Sequence, residues 1–433
     1  MDNAETIFAL ATARGRAGLA VIRVSGPQAF PAARALAKTL PTPRKTSLRI
    51  LWDGSEPLDQ ALVITFEKGA SFTGEEVAEF HLHGGVAVIQ SVLRVLGGMP
   101  GLRMAEAGEF TRRALENDRL DLPQVEGLAD LIEAETEAQR KQALKVMRGE
   151  LSRKCDIWRQ KLVRAMALME AVIDFADEDV PTDVRPEVSA LLNEVLGELT
   201  REIDGRKAAE RIRDGFEVAL VGKPNVGKST LLNAIAGRDV AITSEIAGTT
   251  RDVIEVRLDL DGLPVTLLDL AGIRESTDSI EKLGVDLALS RAVAADMRVF
   301  LVERADEASG FGIDVGKDDI IALAKADISD QRGLRVSGKT GYGIEALLAE
   351  IGGNISGKVF GSSSLIRQRH MEAIILAKEN LVAALDGLES EAAMDELIAA
   401  DLRFSVSALD GLVGRIDVEQ VLGEIFAGFC IGK

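Results

Sequence analysis

The octet Gly222-Lys223-Pro224-Asn225-Val226-Gly227-Lys228-Ser229 constrains this chain more than any other feature. It fits the pattern GxxxxGK[ST] and stands between an apolar run, Phe216 to Val221, and a helical pattern from Thr230 to Ala236. A strand, a glycine-rich turn and a helix in that order make a phosphate-binding loop. Glycines let backbone N–H groups close around phosphate oxygens, and the helix turns its positive N-terminal end towards them. Asn225, Val226, Gly227 and Thr230 line that cradle, Lys228 neutralises the β and γ phosphates, and the Ser229 hydroxyl suits magnesium.

Downstream segments specify the branch. Asp269-Leu270-Ala271-Gly272 closes an apolar strand, Val265 to Leu268, and fits DxxG. Its Asp holds magnesium through water, and Gly272 offers an N–H to the γ-phosphate. In Ile246-Ala247-Gly248-Thr249-Thr250-Arg251-Asp252 a Thr hydroxyl can complete the magnesium shell; an ordinary polar turn reads equally well. Base choice is read from Ala324-Lys325-Ala326-Asp327, after the strand Ile320 to Leu323. Asp327 can accept from guanine's ring and amino N–H groups, and adenine offers no matching pair. Lys325 can lay its stem over the base. Ala324 stands where NKxD has Asn, so one polar tie is missing and GTP or GDP should bind less tightly than to an intact motif. In Ser337-Gly338-Lys339, placed where SAK is usual, Gly338 keeps the N–H that meets the guanine oxygen. Ile273 occupies the position of the water-orienting Gln of Ras-like GTPases, so another group must place the water. Glu281 is a candidate, and its alternative reading is a solvated acid at a helix start.

The 433 residues allow about three domains of roughly 150 residues. Residues to about 120 read as mixed α/β, with strand-like Ala20 to Val24, Leu62 to Phe66 and Val77 to Leu82, and then a helix carrying Val92 and Leu96. From Leu144 to Ile173 apolar residues recur every three or four positions, which predicts one long helix. Pro181 and Pro186 interrupt the pattern before a second helix through Val188, Leu192 and Leu199. Strands and helices then alternate to Gly353 as in a parallel sheet, Gly361 to Ser364 reads as a linker, and helical spacing resumes through Ile374 and Leu381. The fold class is therefore multidomain α/β plus all-α: a mixed α/β N-terminal domain (1–119), a helical domain in two parts (120–213 and 357–433) and an inserted Ras-like P-loop G domain (214–356). The helices on either side of the insertion need each other to cover their apolar stripes. A net charge of −18 makes the whole surface a poor non-specific binder of nucleic acid. No apolar run approaches the roughly 18 residues of a membrane span, and the N-terminus lacks a secretory pattern. Cys155 and Cys430 cannot build a disulfide framework, which points to a reducing cytoplasm.

Taken together, GKPNVGKST, EIAGTTRD, DLAGIRES, the head segments Gly108 to Ala114 and Leu120 to Leu122, and the ending Phe429-Cys430-Ile431-Gly432-Lys433 resemble the MnmE (TrmE) family of bacterial tRNA-modification GTPases along essentially the whole chain. The resemblance implies a potassium-dependent GTPase that is a homodimer through its N-terminal domain and pairs its G domains on GTP. Asn225, Ser244, Ile246 and Thr249 match the potassium ligands, Ser229 and Thr250 the magnesium pair, and Glu281 the water-orienting glutamate. The implied partners are the flavoprotein MnmG and tRNA, whose wobble uridine receives a carboxymethylaminomethyl-type group. The one-carbon donor is a tetrahydrofolate, 5-formyl or 5,10-methylene. Arg23, Glu79 and Arg119 match its pocket, with Arg119 replacing the family's common Lys; generic surface charge is their alternative reading. Lys433 matches a cofactor-binding position of the tail, and Cys430 a nucleophile beside the pocket, otherwise an inert tail residue. A ribosome-assembly GTPase would share PNVGKS but leaves the head and tail unexplained. A nucleotide-binding scaffold is opposed by Lys228, Ser229, Asp269 and Gly272 and kept open by Ile273 and Ala324.

Overall fold

Alternation decides the first layer. In a computed structural model of the chain the described residues are 5–174, 183–242, 254–270, 289–328, 331–358, 363, 365–390, 394–415, 425–426, 429 and 431–432. They form two compact units, residues 1–129 with 410–433, and residues 130–409.

The first unit is built from β1 (Thr6–Leu10), β2 (Ala20–Ser25), α1 (Ala29–Ala37), β3 (Ser47–Asp53), β4 (Glu56–Phe66), β5 (Val77–Leu82), α2 (Val86–Gly97), β6 (Leu102–Met104), α3 (Glu109–Glu116) and the start of α4 (Leu122–Glu133). The strands make one sheet in the order β3-β4-β5-β2-β1-β6, antiparallel except for the β1–β6 pair. Along β5, Ala78, Phe80 and Leu82 point into the core with Val92 and Leu96 of α2. Full burial of a side chain like Phe80 stabilises by about 2–3 kcal/mol. Period two then sends Glu79 and His81 to the other face, where Glu79 stands opposite Arg23 of β2. The chain's end belongs to this unit. Ile431 bridges antiparallel to Ala107, and Gly432 (φ +102°) lies so close to Leu10 that a Cβ would sit 2.1 Å from its carbonyl oxygen.

The second unit holds α5 (Glu137–Met147), α6 (Glu150–Asp174), α7 (Arg185–Asp214), β7 (Phe216–Val221), α8 (Lys228–Ala236), β8 (Ile254–Leu260), β9 (Leu263–Asp269), β10 (Met297–Val302), β11 (Ile320–Leu323), β12 (Leu334–Arg335), α9 (Ile344–Ser356), α10 (Gln368–Glu389) and most of α11 (Asp395–Val413). Its sheet runs β12-β11-β10-β7-β9-β8. α7 packs along both α6 and α10, so the helices flanking the insertion do cover each other.

Three expectations are corrected. The single helix across 144–173 is two, because Gly149 takes φ +75° between α5 and α6, a conformation glycine adopts without strain. The sheet is not wholly parallel: β8 runs antiparallel to β9 through the tight turn Asp261-Gly262, both at positive φ (52° and 85°). Asp-Gly between apolar strands is a hairpin signal in the sequence itself. Pro186 does not interrupt a helix but sits in the first turn of α7, where its missing N–H costs nothing. In the expected linker Ser363 is buried, and its hydroxyl donates to Glu202 at 2.7 Å; its neighbours Gly361, Ser362 and Ser364 lie outside the described residues.

Both crossings into the inserted sheet are held by one carboxylate. Asp130 Oδ1 accepts from Arg213, two residues before Gly215, at 3.2 Å, and from Arg367 on the return strand of chain at 2.7 Å. Asp130→Ala should therefore lower stability by about 2 kcal/mol, since it removes the one carboxylate shared by two partly solvated arginines at the joint. Chemical denaturation of the parent and variant checks this, and a loss below half that size would refute it.

Candidate functional site

Backbone geometry makes the phosphate loop. Between β7 and α8, Asn225 (φ +61°) and Gly227 (φ +112°) turn the chain so that α8 begins at Lys228. Gly222 is tight for a different reason: a Cβ there would lie 2.4 Å from the Leu301 carbonyl oxygen of β10. Lys228 is buried, and its ammonium donates to the carbonyl oxygens of Gly222 (2.8 Å) and Lys223 (3.4 Å). Burial pushes its pKa down, opposed by the nearby Asp269 carboxylate. An arriving phosphate would stabilise the charged form further.

Strand β9 delivers Asp269 beside the loop, and Ser229 Oγ donates to its Oδ2 at 2.8 Å. Asp269 is buried, and its other oxygen, Oδ1, has no hydrogen-bond partner among the described residues. A buried unsatisfied carboxylate oxygen next to a hydroxyl is a donor set that fits a hydrated magnesium ion.

The residues expected to read the base converge on a cavity of about 340 Å³ shared with the phosphate loop, lined by Asn225, Thr230, Ala324, Lys325, Asp327 and Gly338 among others. That size suits a nucleoside. Asp327 Oδ1 accepts from Ser337 Oγ at 2.9 Å, and this bond is the main reason its carboxyl is held below the ordinary range. Lys325 (φ +58°) is held by Glu303 at the end of β10, a partner that the motif alone did not reveal. Thus Asn225, Val226, Gly227, Thr230, Lys325, Asp327, Ser337, Gly338 and Lys339 line one cleft, and Lys228, Ser229 and Asp269 stand together at the phosphate loop that borders it. Ser244, Ile246, Thr249, Thr250, Gly272, Ile273 and Glu281 lie outside the described residues.

A second polar group lies on the outer face of the first unit's sheet. Arg23 Nε donates to Glu79 Oε1 at 2.8 Å, and its guanidinium lies 5.6 Å from the Phe72 ring and 5.5 Å from the Phe110 ring. His81 Nε2 lies 3.4 Å from the other Glu79 oxygen. Burial would raise the Glu79 carboxyl, but the His81 hydrogen bond and the Arg23 charge outweigh it and hold it low. Arg119 is exposed and its stem lies beside Gly74, two residues from Phe72. Period-two spacing could have placed His81 beside Glu79; the two aromatic rings come from a loop and from α3 and leave no local signal. Cys430 and Lys433 lie outside the described residues, while Cys155 is buried on α6 as expected of core. Among the described residues no group of His, Cys, Asp and Glu forms a metal cluster, and no helix is long and apolar enough to cross a membrane.

Comparisons with known proteins cover the chain from end to end. The family model described as GTP-binding protein TrmE N-terminus matches residues 6–119, and that of the MnmE helical domain matches residues 122–430. The tRNA modification GTPase MnmE of Cereibacter sphaeroides is 58% identical over 433 residues, covering 99% of this chain and 100% of that protein. The protein of the same name from Roseobacter denitrificans is 54% identical over 431 residues, with 99% and 100% covered. That from Beijerinckia indica is 49% identical over 439 residues, with 99% and 96% covered. Head and tail, which a ribosome-assembly reading left unexplained, are matched along with the phosphate loop.

Asp327 stands exposed in the cavity with only one oxygen engaged by Ser337. Asp327→Asn should shift preference from GTP towards xanthosine triphosphate by about tenfold or more, since one acceptor becomes a donor. Competition binding of the two nucleotides measures it, and an unchanged ratio removes Asp327 from the base-reading role.

Proposed function

Because the chain belongs to the MnmE family of tRNA-modification GTPases, we propose that its GTP hydrolysis is potassium-dependent and drives, with the flavoprotein MnmG, the addition of a carboxymethylaminomethyl-type group to the wobble uridine of certain tRNAs. The observation that carries the hydrolytic half is the Ser229–Asp269 pair with its unsatisfied buried oxygen beside Lys228. Ser229 and Thr250 would hold magnesium, with Asp269 reaching it through water. Asn225 would hold potassium with Ser244, Ile246 and Thr249. Held there, the two cations would supply positive charge against the negative charge developing between the β and γ phosphates. Lys228 binds the same phosphates, Gly272 donates its N–H to the γ-phosphate, and Asp327 with Lys325, Ser337, Gly338 and Lys339 orients guanine. Glu281 accepts a hydrogen bond from the attacking water and directs it in line, a task that Ile273 lacks the atoms for.

For the second half we propose that Arg23, Glu79 and Arg119 bind a tetrahydrofolate one-carbon donor, 5-formyl or 5,10-methylene, with Lys433 and Cys430 supplied by the tail. What supports this is the chemistry of the polar face: a carboxylate suits the paired N–H groups of a pterin, the exposed Phe72 ring suits its plane, and the exposed Arg119 suits a glutamate tail. Homodimerisation through the N-terminal domain, pairing of the G domains on GTP and a cytoplasmic location complete the proposal.

Two experiments test the halves separately. Glu281→Ala should cut turnover in potassium by about 10²-fold or more while nucleotide affinity stays near the parent value. The parent should lose most of its rate when sodium replaces potassium, because the smaller ion fits a cage sized for potassium badly. Parent-like turnover of Glu281→Ala in potassium would end the proposed mechanism. Arg23→Ala should weaken binding of a folate analogue, measured calorimetrically, and leave GTP hydrolysis intact; joint loss of both would place the pocket elsewhere.

A further inference from the structure

Gly338 is demanded by space and not by torsion. Its φ lies outside the left-handed region, yet a Cβ there would meet Leu231 N at 2.6 Å, Thr230 C at 2.6 Å and Thr230 O at 2.7 Å. All three are backbone atoms of the first turns of α8, and Leu231 N is already committed to the Gly227 carbonyl oxygen at 2.9 Å. Neither side can yield cheaply, so Gly338 rests backbone against backbone on the helix that carries the phosphate loop.

That contact fixes more than one glycine. Ser337, next in the chain, holds Asp327 through its hydroxyl. Val336 O accepts from Ala326 N at 3.1 Å, and Val336 N donates to Leu323 O at 2.8 Å. The depth at which the 337–339 loop sits on α8 therefore sets where Asp327 stands relative to the phosphates. Ala324, lining the same cavity, is buried and has only its backbone to offer, with its N–H spent on Val302 O at 2.8 Å. The methyl group of Ala324 cannot tie the base-reading segment to the phosphate loop.

We propose that Gly338 supplies this tie: its close seat on α8 positions Asp327 in place of a polar side chain at 324, so that Ala324 and Gly338 are a matched pair. Gly338 is then a positioning residue for guanine, and the proposal rests on the guanine-nucleotide reading of the cleft. The pairing reverses the expectation that the missing Asn weakens binding.

The test is fluorescent GDP binding to the full-length parent, Gly338→Ala, Ala324→Asn and the double variant, with xanthosine diphosphate as competitor. Gly338→Ala should weaken GDP by about tenfold or more, the scale of overpacking a tight contact, and lower its preference over xanthosine diphosphate. Ala324→Asn alone should gain less than about threefold, and the double variant should return to within about threefold of the parent. Parent-like affinity in Gly338→Ala, or a double variant as weak as that single one, overturns the pairing. Should Gly338→Ala fail to fold, Ala324→Asn still decides, because a tenfold gain from it alone means that the tie is missing. A parent with no preference for GDP over xanthosine diphosphate would instead defeat the guanine reading beneath the proposal.

Discussion

An inserted domain must leave and re-enter its host at two places, and its orientation is defined only if both crossings are held. In this chain the Asp130 carboxylate holds both, through Arg213 on the way out and Arg367 on the way back. Around it the same junction is tied by backbone acceptors. Gln139 Nε2 donates to Arg213 O at 2.9 Å, and Gln142 Nε2 donates to Ala209 O at 2.9 Å. Val146, Ala209 and Ile366 seal the apolar side of the joint. Polar groups thus fix the direction, while burial supplies the strength, as expected where a charge cluster specifies geometry more than it adds stability.

A second connection runs from the joint to the nucleotide. The β8–β9 hairpin turns at Asp261-Gly262, and Gly262 O accepts from Ala138 N at 2.9 Å, within the first turn of α5. That turn is itself organised by the Thr136–Gln139 capping box. At the far end of the hairpin, β9 terminates in Asp269, bonded to Ser229. One strand pair therefore spans from a helix cap of the bundle to the carboxylate bonded to Ser229 beside the phosphate loop. Any shift of Asp269 along its strand must be absorbed by that cap or passed to α5.

Legibility followed the range of the interactions. The phosphate loop, β7, β11 and the alternation of β5 are local patterns, and each is readable from a few consecutive residues. Helix periodicity carried across Gly149 because apolar spacing alone does not register a left-handed glycine; the residue was visible, its torsion was not. The antiparallel β8 was legible in Asp261-Gly262 but was overridden by a general expectation of α/β alternation. Asp130, Glu303, Phe72 and the seat of Gly338 on α8 are long-range, made by side chains or backbone brought together only by the fold. The Gly338 case is instructive: the sequence displays two departures from motif, at 324 and 338, and only space relates them.

Charge in the cleft gives a reason for the cations assigned to it. A nucleoside triphosphate is polyanionic, and its hydrolysis concentrates negative charge near the β–γ bridge. Two lysines at the cleft are paired with the protein's own acids. Lys325 pairs with Glu303, and Lys223 lies 3.3 Å from Glu307. Lys228 donates to the Gly222 carbonyl oxygen, and burial pushes its pKa down, opposed by Asp269. Asp269 adds a buried negative charge of its own. In a chain of net charge −18 the surrounding field does not favour an anion either. The magnesium and potassium proposed for the site would add positive charge there without placing further basic side chains beside these carboxylates.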